Sequence, residues 1–162
     1  MEFYCNFVIR IFTFKNSYVL FVHFLLIFVP HYCFQITENR FEFNQNFRVS
    51  VSGYYAFVNI SSNNFTDNWA DNPDSGIVQV LGMEKRLIVE RNRFLGNWGR
   101  WMFRIEALSQ SLRFAGREVV AQLQFNYFQF NHFLRTNDEY TDMWPRSYTV
   151  GVFGVQLVQV ST

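Results

Sequence analysis

Several features that identify an activity are scarce in this chain of 162 residues. It has two cysteines, Cys5 and Cys33, so the remainder of the chain holds no disulfide that could report its redox compartment. The three histidines are scattered and show no metal-binding spacing. No catalytic triad order, phosphate-binding loop or dinucleotide fingerprint is present. The residues therefore identify no catalytic chemistry, and we predict no cofactor.

An excess of charge of one sign is also lacking. The chain has 14 Lys and Arg against 13 Asp and Glu. Residues 35–162 hold 12 of each, because Arg10, Lys15 and Glu2 precede them. Such a neutral segment argues against nucleic acid or an acidic membrane surface as its partner.

A helical period is missing after residue 35, where no apolar 3.6-residue repeat persists beyond about three turns. The chain instead repeats one pattern four times: an aliphatic residue, two positions, Asn, one position, Phe, two positions and Asn. The first Asn of each copy is Asn39, Asn63, Asn92 or Asn126, and the Phe is Phe41, Phe65, Phe94 or Phe128. The steps from Asn to Asn are 24, 29 and 34 residues, within the range typical of stacked repeats.

Strands, rather than helices, are predicted between these copies. Apolar and polar residues alternate in Val49-Ser50-Val51 and Val78-Gln79-Val80, as in half-buried strands. Asn tolerates a left-handed backbone and suits a sharp corner, and in stacked coils it can bond the Asn above and below. We therefore predict an all-β fold, a parallel β-helix of about four coils, with the four Asn in one column and the four Phe in a buried second column.

The repeated motif resembles the right-handed parallel β-helix repeats of the pectin-lyase-like superfold over roughly residues 35–162. More narrowly, Gly53-Tyr54-Tyr55 and Gly82-Met83-Glu84-Lys85-Arg86, with the run to Phe94, resemble the β-helix region of the Bark beetle (Anakonda) family. That family comprises large single-pass membrane proteins of animal epithelia that are associated with tricellular junctions. The resemblance implies an adhesive or scaffolding ectodomain, either secreted or on the extracellular side of the plasma membrane.

The first 34 residues differ from the rest. They contain the only long apolar run, Tyr18 to Val29, preceded by Arg10 and Lys15. This arrangement resembles a secretory signal peptide or signal anchor, although about 18 Å of helix rise is short for a membrane span. An artefact of an imperfect gene model and an apolar cap for the solenoid are the alternatives. We predict an apolar leader over 1–34 and a parallel β-helix segment over 35–162, truncated at both ends.

All four tryptophans lie in the insertions that lengthen from copy to copy: Trp69, Trp98, Trp101 and Trp144. Aromatic residues on projecting loops are typical of protein interfaces and sugar-binding faces. This face is therefore the predicted site for a protein partner or a glycan, whereas a membrane contact is expected only through the wider protein or the N-terminal segment. The alternative is that the rings seal the insertions onto the coils, which is favoured for Trp101 because Trp101 to Ile105 alternates like a strand.

Two further groups of residues are weaker candidates. Asp67, Asp71 and Asp74 offer the oxygen ligands that calcium takes, but their spacing does not match an EF-hand loop and the segment is a good turn sequence. We therefore predict no metal site. Asn59 and Asn64 each begin an Asn-x-Ser/Thr sequence and would accept glycans if the chain is secreted.

A carbohydrate-active β-helix enzyme is the alternative function. A hydrolase needs two carboxylates at a set separation, and a lyase needs a base and a cation. Glu84, Lys85 and Arg86 form the dense charged cluster on a coil, but a solvated turn between two strands is the favoured interpretation. The predicted role is a non-catalytic interaction or scaffold segment of a larger membrane-anchored protein, in cell adhesion at cell junctions.

Overall fold

The computed structural model describes residues 7–10, 13–15, 20–26, 32–70, 76–107, 120–133, 148–153 and 157–161. All regular structure in these ranges is β-strand. The strands are β1 (Phe7–Arg10), β2 (Thr13–Lys15), β3 (Leu20–Leu26), β4 (Tyr32–Thr37), β5 (Arg40–Glu42), β6 (Phe47–Ser61), β7 (Asn64–Thr66), β8 (Val78–Glu90), β9 (Arg93–Leu95), β10 (Trp98–Gly99), β11 (Trp101–Ala107), β12 (Val120–Gln124), β13 (Tyr127–Gln129), β14 (His132–Phe133), β15 (Tyr148–Phe153) and β16 (Leu157–Ser161).

Each copy of the motif pairs in parallel and in register with the next copy. The short strands β5, β7, β9 and β13 lie side by side, so that Phe41 is opposite Phe65, Phe65 is opposite Phe94, and Phe94 is opposite Phe128. These strands, with β2 at one edge, form a five-stranded sheet. An all-β structure of parallel strands stacked repeat on repeat is consistent with a β-helix-like solenoid.

The larger sheet has nine strands and contains the segments on both sides of each motif. Strands β6 and β8 are long because each runs from one repeat into the next. The first part of β6 pairs with β3 and its second part pairs with β4. Register shifts around Tyr55 separate the two parts. Between the pairs Tyr55–Met83 and Phe57–Arg86, β8 advances by three residues and β6 by two. The extra residue is a β-bulge, which bends a strand without ending it.

This bulge occupies the place where the sequence predicted a turn between two strands. Glu84, Lys85 and Arg86 belong to one continuous strand, β8. Pairing with β6 continues on both sides of the register shift, so the predicted turn between two strands is wrong here. The Arg86 guanidinium donates a hydrogen bond to Oε1 of Gln122 at 2.7 Å.

The core lies between the sheets and consists of rows of like residues. The aliphatic residue of each motif copy pairs with that of the next copy, Ile36 with Ile60 and Ile60 with Val89. The four phenylalanine rings are stacked, with centroids 4.9, 4.7 and 4.8 Å apart and interplanar angles of 3°, 12° and 10°. Phe41, Phe65 and Phe94 are fully buried, which contributes roughly 1.5–3 kcal/mol for each side chain, whereas Phe128 is half-buried rather than buried as predicted. One coil cannot bury this row alone, so stacking of repeats is what forms the core.

Strands β1, β2 and β3 lie within the segment predicted as an apolar leader. They pair in parallel with β4, β5 and β6, and Ile9 and Phe14 are opposite Ile36 and Phe41. The backbone of these residues therefore adds a further row to both sheets. A signal or anchor role for residues 1–34 stays a prediction.

Candidate functional site

Two sharp corners flank each short strand. The residue before each motif Asn has a left-handed backbone, with φ between 51° and 65°. These residues are Glu38, Ser62, Arg91 and Phe125 before the first Asn, and Phe43, Asp67, Gly96 and Phe130 before the second. The expectation that the Asn itself would adopt the left-handed conformation is wrong. The preceding residue turns the chain, which leaves the Asn side chain free to bond along the stack.

The first Asn of each copy forms a buried column of hydrogen bonds. Nδ2 of Asn39 donates to Oδ1 of Asn63 at 3.1 Å, Asn63 donates to Asn92 at 3.0 Å, and Asn92 donates to Asn126 at 3.0 Å. Each Oδ1 also accepts the backbone N–H of the preceding Asn in the column, at 3.0 to 3.1 Å. The structure thus brings the four residues that the spacing predicted into one ladder.

The remaining amide hydrogen of each side chain is used as well. Nδ2 of Asn63 donates to the carbonyl oxygen of Ile36, and Nδ2 of Asn92 donates to that of Ile60, both at 2.8 Å. Buried polar groups are costly unless they are paired, and here donor and acceptor atoms of the inner side chains are all bonded. The ladder therefore fixes the relative position of neighbouring coils.

A second ladder runs through the other motif Asn, five residues further on. Its members are Asn44, Asn68, Asn97 and Asn131. Their side chains bond in sequence at 2.9, 3.0 and 3.0 Å. A ladder was predicted only for the first Asn. The signal was present, because both asparagines recur at the same offset in all four copies.

An outward aromatic stack follows the second ladder directly. The residue after the second Asn is Trp69, Trp98 or His132 in the last three copies, and we call these three residues the Trp–His column. The two indole rings are 5.1 Å apart with an interplanar angle of 6°, and Trp98 and the His132 ring are 4.3 Å apart at 23°. Backbone pairing of Trp69 with Trp98 and of Trp98 with His132 sets this alignment.

The Trp–His column remains accessible although its rings cover one another. Trp69 is 42% exposed and Trp98 is 37% exposed. At the neighbouring second corner, Phe43 of the first copy and Phe130 of the fourth are also exposed, by 48% and 70%, and Asp67 and Gly96 hold this position in the two copies between them. Because stacked rings cover each other's faces, the accessible parts of the inner ring are mainly its edges. The result is an exposed aromatic ridge on a rigid framework.

The other two tryptophans do not extend this ridge in the structure. Trp101 is only 7% exposed, and the guanidinium groups of Arg100 and Arg104 lie 5.0 and 4.7 Å from the centroid of its ring. It begins β11, which pairs with β8 and β15. The insertion between the third and fourth motif copies therefore follows β11 rather than preceding it. Trp144 lies outside the described residues.

The predicted acidic group is only partly described. Asp67 is exposed at the second corner, and its Oδ1 lies where a Cβ on Gly96 would be. Asp71 and Asp74 lie outside the described residues. Within the ranges that the structure describes, no group of three or more His, Cys, Asp or Glu residues could hold a metal ion. In the same ranges, no helix is long and apolar enough to span a membrane.

Three of the described carboxylates lie beside cations on the surface. Glu42 is 3.9 Å from Lys15, Glu90 is 3.6 Å from Arg91, and Glu106 is 2.8 Å from Arg104. Exposed ion pairs of this kind contribute about 0–1 kcal/mol each. They position side chains on the outer surface of the coils.

Comparison with known proteins finds a similarity to Protein bark beetle of Drosophila melanogaster. The two chains are 35% identical over 105 residues, which is 64% of this chain and 3% of the fly protein. The chain thus spans a small part of the length of the relative it matches. No protein-family model matches the chain, and no solved structure matches it. The similarity supports the resemblance to the Bark beetle family that the sequence motifs suggested.

Proposed function

We propose that the chain is a segment of a right-handed parallel β-helix that acts as a non-catalytic interaction and scaffold region. In this proposal it belongs to a larger membrane-anchored protein of the Bark beetle type and lies on the extracellular side of the plasma membrane. Its role there is to contribute to cell–cell junction assembly. The observation that carries the proposal is the exposed Trp–His column on a framework held by two buried asparagine ladders.

Rigidity is the first property that supports this role. The asparagine side chains bond along the stack at 2.9 to 3.1 Å, and the phenylalanine rings pack in the same direction. A surface that is already ordered pays less conformational entropy when it binds. The Trp–His column is therefore suited to bind a partner without rearranging.

The chemistry of the column favours a protein partner over a sugar. Tryptophan is enriched among the residues that dominate the energy of protein interfaces. A sugar ring usually packs on an exposed aromatic face, but the faces of Trp98 are covered by Trp69 and His132 at 5.1 and 4.3 Å. The exposed edges of Trp69, Trp98 and His132 form a ridge that a protein groove can cover.

The experiment that tests the proposal is a bead-binding assay on layers of epithelial cells. Beads coated with the chain are compared with beads coated with the double variant Trp69→Ala and Trp98→Ala. We expect the double variant to lose at least tenfold in bound beads, because removal of each interface anchor costs about 1–2 kcal/mol of binding free energy. The same assay after enzymatic removal of cell-surface glycans should leave binding of the natural chain unchanged.

The matched control is Phe125→Ala, which removes another exposed aromatic residue, from the opposite corner. It should bind like the natural chain, and all proteins should show similar thermal unfolding midpoints. Equal binding by the double variant would contradict the proposed site. Loss of binding after glycan removal would instead identify a glycan as the partner.

A further inference from the structure

We propose that Asn64, and not Asn59, carries an N-linked glycan on the outer face of the short strands. The inference rests on the proposed extracellular location, because this modification occurs on chains that enter the secretory pathway. Both residues begin an acceptor sequence, Asn59-Ile60-Ser61 and Asn64-Phe65-Thr66. The sequence alone does not distinguish them, whereas their environments in the structure differ.

Asn64 lies on the outer face of β7. The side chain of Phe65 is fully buried in the phenylalanine stack, and because side chains alternate along a strand, Asn64 and Thr66 face outward. Both are half-buried, and the Thr66 hydroxyl donates to Oδ1 of Asn64 at 2.9 Å. The two residues that define the acceptor sequence thus lie side by side on the surface.

The nitrogen that would carry the sugar is free at Asn64. Its oxygen accepts the Thr66 hydroxyl, whereas Nδ2 makes no hydrogen bond within the described part of the chain. It is also not among the buried polar atoms that lack a hydrogen bond in those residues. Nδ2 of Asn64 is therefore open to solvent, and substituting it removes no native contact.

Asn59 is half-buried like Asn64, but its acceptor sequence is less accessible. It lies in the second part of β6, between Gln35 on β4 and Ile88 on β8. Its Oδ1 is buried and has no hydrogen-bond partner among the described residues, and Ser61 of its acceptor sequence is buried as well. A glycan is bulky and must project into water, so an acceptor sequence whose amide oxygen and serine are both buried is less suited to carry it than the one at Asn64.

The group transfer that the proposal requires is a simple substitution. Nδ2 of Asn64 attacks the anomeric carbon of a lipid-linked oligosaccharyl diphosphate, which is the co-reactant. The N–C bond forms, the bond from that carbon to the diphosphate oxygen breaks, and the diphospholipid leaves while Nδ2 loses one proton. No oxidation or reduction takes place. A glycosyltransferase acts on the chain before it folds, so a glycan is compatible with the native protein only where the modified chain can fold with the glycan on its surface.

The site would place the glycan on a strip that is separate from the Trp–His column. In the register of the short strands, Asn64 is flanked by Arg40 and Arg93, and Arg93 is followed by Tyr127. The two arginines and Tyr127 are exposed, and they offer hydrogen-bond donors and an aromatic ring beside the glycan. The second corner and its asparagine ladder lie between this strip and the column. A glycan at Asn64 would therefore shield the short-strand face and leave the proposed interaction ridge open.

The test is to secrete the full chain from cultured animal cells, with an additional acceptor sequence in a flexible tag as an internal reporter. Intact mass before and after enzymatic deglycosylation gives the number of glycans, and peptide mass spectrometry gives their positions. We expect a glycan on the tag and one on Asn64. Asn64→Gln and Thr66→Ala should each remove the second glycan, whereas Asn59→Gln and Thr66→Ser should retain it. Unfolding midpoints of the four variants should be similar.

Each outcome has one meaning. A modified tag with an unmodified Asn64, or a folded monomer that bears its glycan on Asn59, would overturn the inference. Neither result bears on the bead-binding assay, where loss of binding in the tryptophan variant supports the proposed function independently. Conversely, suppose that Asn64 carries a glycan and the Trp69→Ala and Trp98→Ala double variant binds cells as well as the natural chain does. The glycan site would then stand, and the proposed interaction ridge would be rejected.

Discussion

At the scale of single residues, the motif asparagines solve a problem that a sharp corner creates. A left-handed residue turns the chain, and the regular backbone pairing between coils is interrupted at that point. The backbone N–H of Asn63 then finds its acceptor in the Asn92 side chain at 3.0 Å instead of in a neighbouring carbonyl. The Asn63 carbonyl accepts the N–H of Arg93 at 2.8 Å, so backbone pairing resumes in the following short strand. The asparagine side chain therefore replaces the missing backbone partner.

Replacement of Asn92 by Ala should be strongly destabilising. The variant leaves the N–H of Asn63, one Nδ2 hydrogen of Asn63 and the carbonyl of Ile60 without these partners, whereas Oδ1 of Asn126 keeps the backbone N–H of residue 92. A buried polar group without a partner costs about 1–3 kcal/mol, and partial relaxation reduces the sum, so we expect a loss of about 3–5 kcal/mol. The measurement is the free energy of unfolding from urea titration.

The matched control is Asn126→Ala, at the last described position of the same ladder. Asn126 is only half-buried, so water can replace part of what its side chain provides. Its substitution should cost less than half as much as that of Asn92. Equal losses at the two positions would show that the burial of the ladder does not determine its contribution.

Residue spacing predicted which side chains stack but not how the corners are built. The left-handed positions hold Glu38, Ser62, Arg91 and Phe125 at one corner, so no residue type marks them. Their backbone conformation is set by the following Asn and by the stack, which a single copy of the motif does not reveal. The Trp–His column was missed as a stack for a related reason. His132 is not a tryptophan, and its place beside Trp98 follows only from the register of β10 and β14.

At the scale of elements, the N-terminal strands have a sequence that does not distinguish a strand from a helix. Strand β3 pairs with β6 over seven residues, although its sequence lies in the apolar run that resembles a signal segment. A short continuous apolar run fits a buried strand and a helix equally well. The preceding motif copy is also degenerate: Ile9 and Phe14 match the pattern, but the sequence has Phe12 and Ser17 where the other copies have Asn. The asparagine spacing therefore does not identify this copy.

Deletion of residues 1–31 should destabilise the remaining chain. It removes β1, β2 and β3 and so exposes the edges of β4, β5 and the first part of β6, together with apolar surface that these strands cover. We expect a lower unfolding midpoint and faster hydrogen exchange in β4 and β6 than in the full chain. Mass spectrometry of peptides after deuterium exchange measures both strands at once.

Removal of residues 1–6 alone is the control, because these residues precede β1 and the variant retains all three strands. It should unfold like the full chain. If the longer deletion also leaves the midpoint and the exchange in β4 and β6 unchanged, residues 7–26 contribute nothing to the stack. The leader interpretation would then be the better account of the N-terminus.

At the scale of the whole molecule, the stack behaves as a one-dimensional array. The described strand pairs join each repeat to its neighbours, and both ladders and the phenylalanine row run in the same direction. This arrangement is what the fourfold repetition of the motif predicted. The function could not be derived in the same way, because an exposed ridge depends on side chains that the repeat does not require. Gln45, Trp69, Trp98 and His132 occupy equivalent positions, and nothing in the core selects among them.

A one-dimensional array predicts that energetic coupling falls off after the nearest neighbour. Phe65 and Phe94 are in contact, with centroids 4.7 Å apart, whereas Phe41 and Phe94 both stack on Phe65 from opposite sides.

Substitution of each of these three phenylalanines by Leu should cost about 1–2 kcal/mol of unfolding free energy. In a double-mutant cycle, Phe65→Leu with Phe94→Leu should show a coupling of at least about 0.5 kcal/mol, because aromatic pairs contribute that much beyond their burial. Phe41→Leu with Phe94→Leu should be additive within about 0.5 kcal/mol. Urea unfolding of the five variants and the natural chain provides the free energies for both cycles. Equal coupling energies in the two pairs would show that the repeats unfold as one cooperative unit and contradict nearest-neighbour coupling.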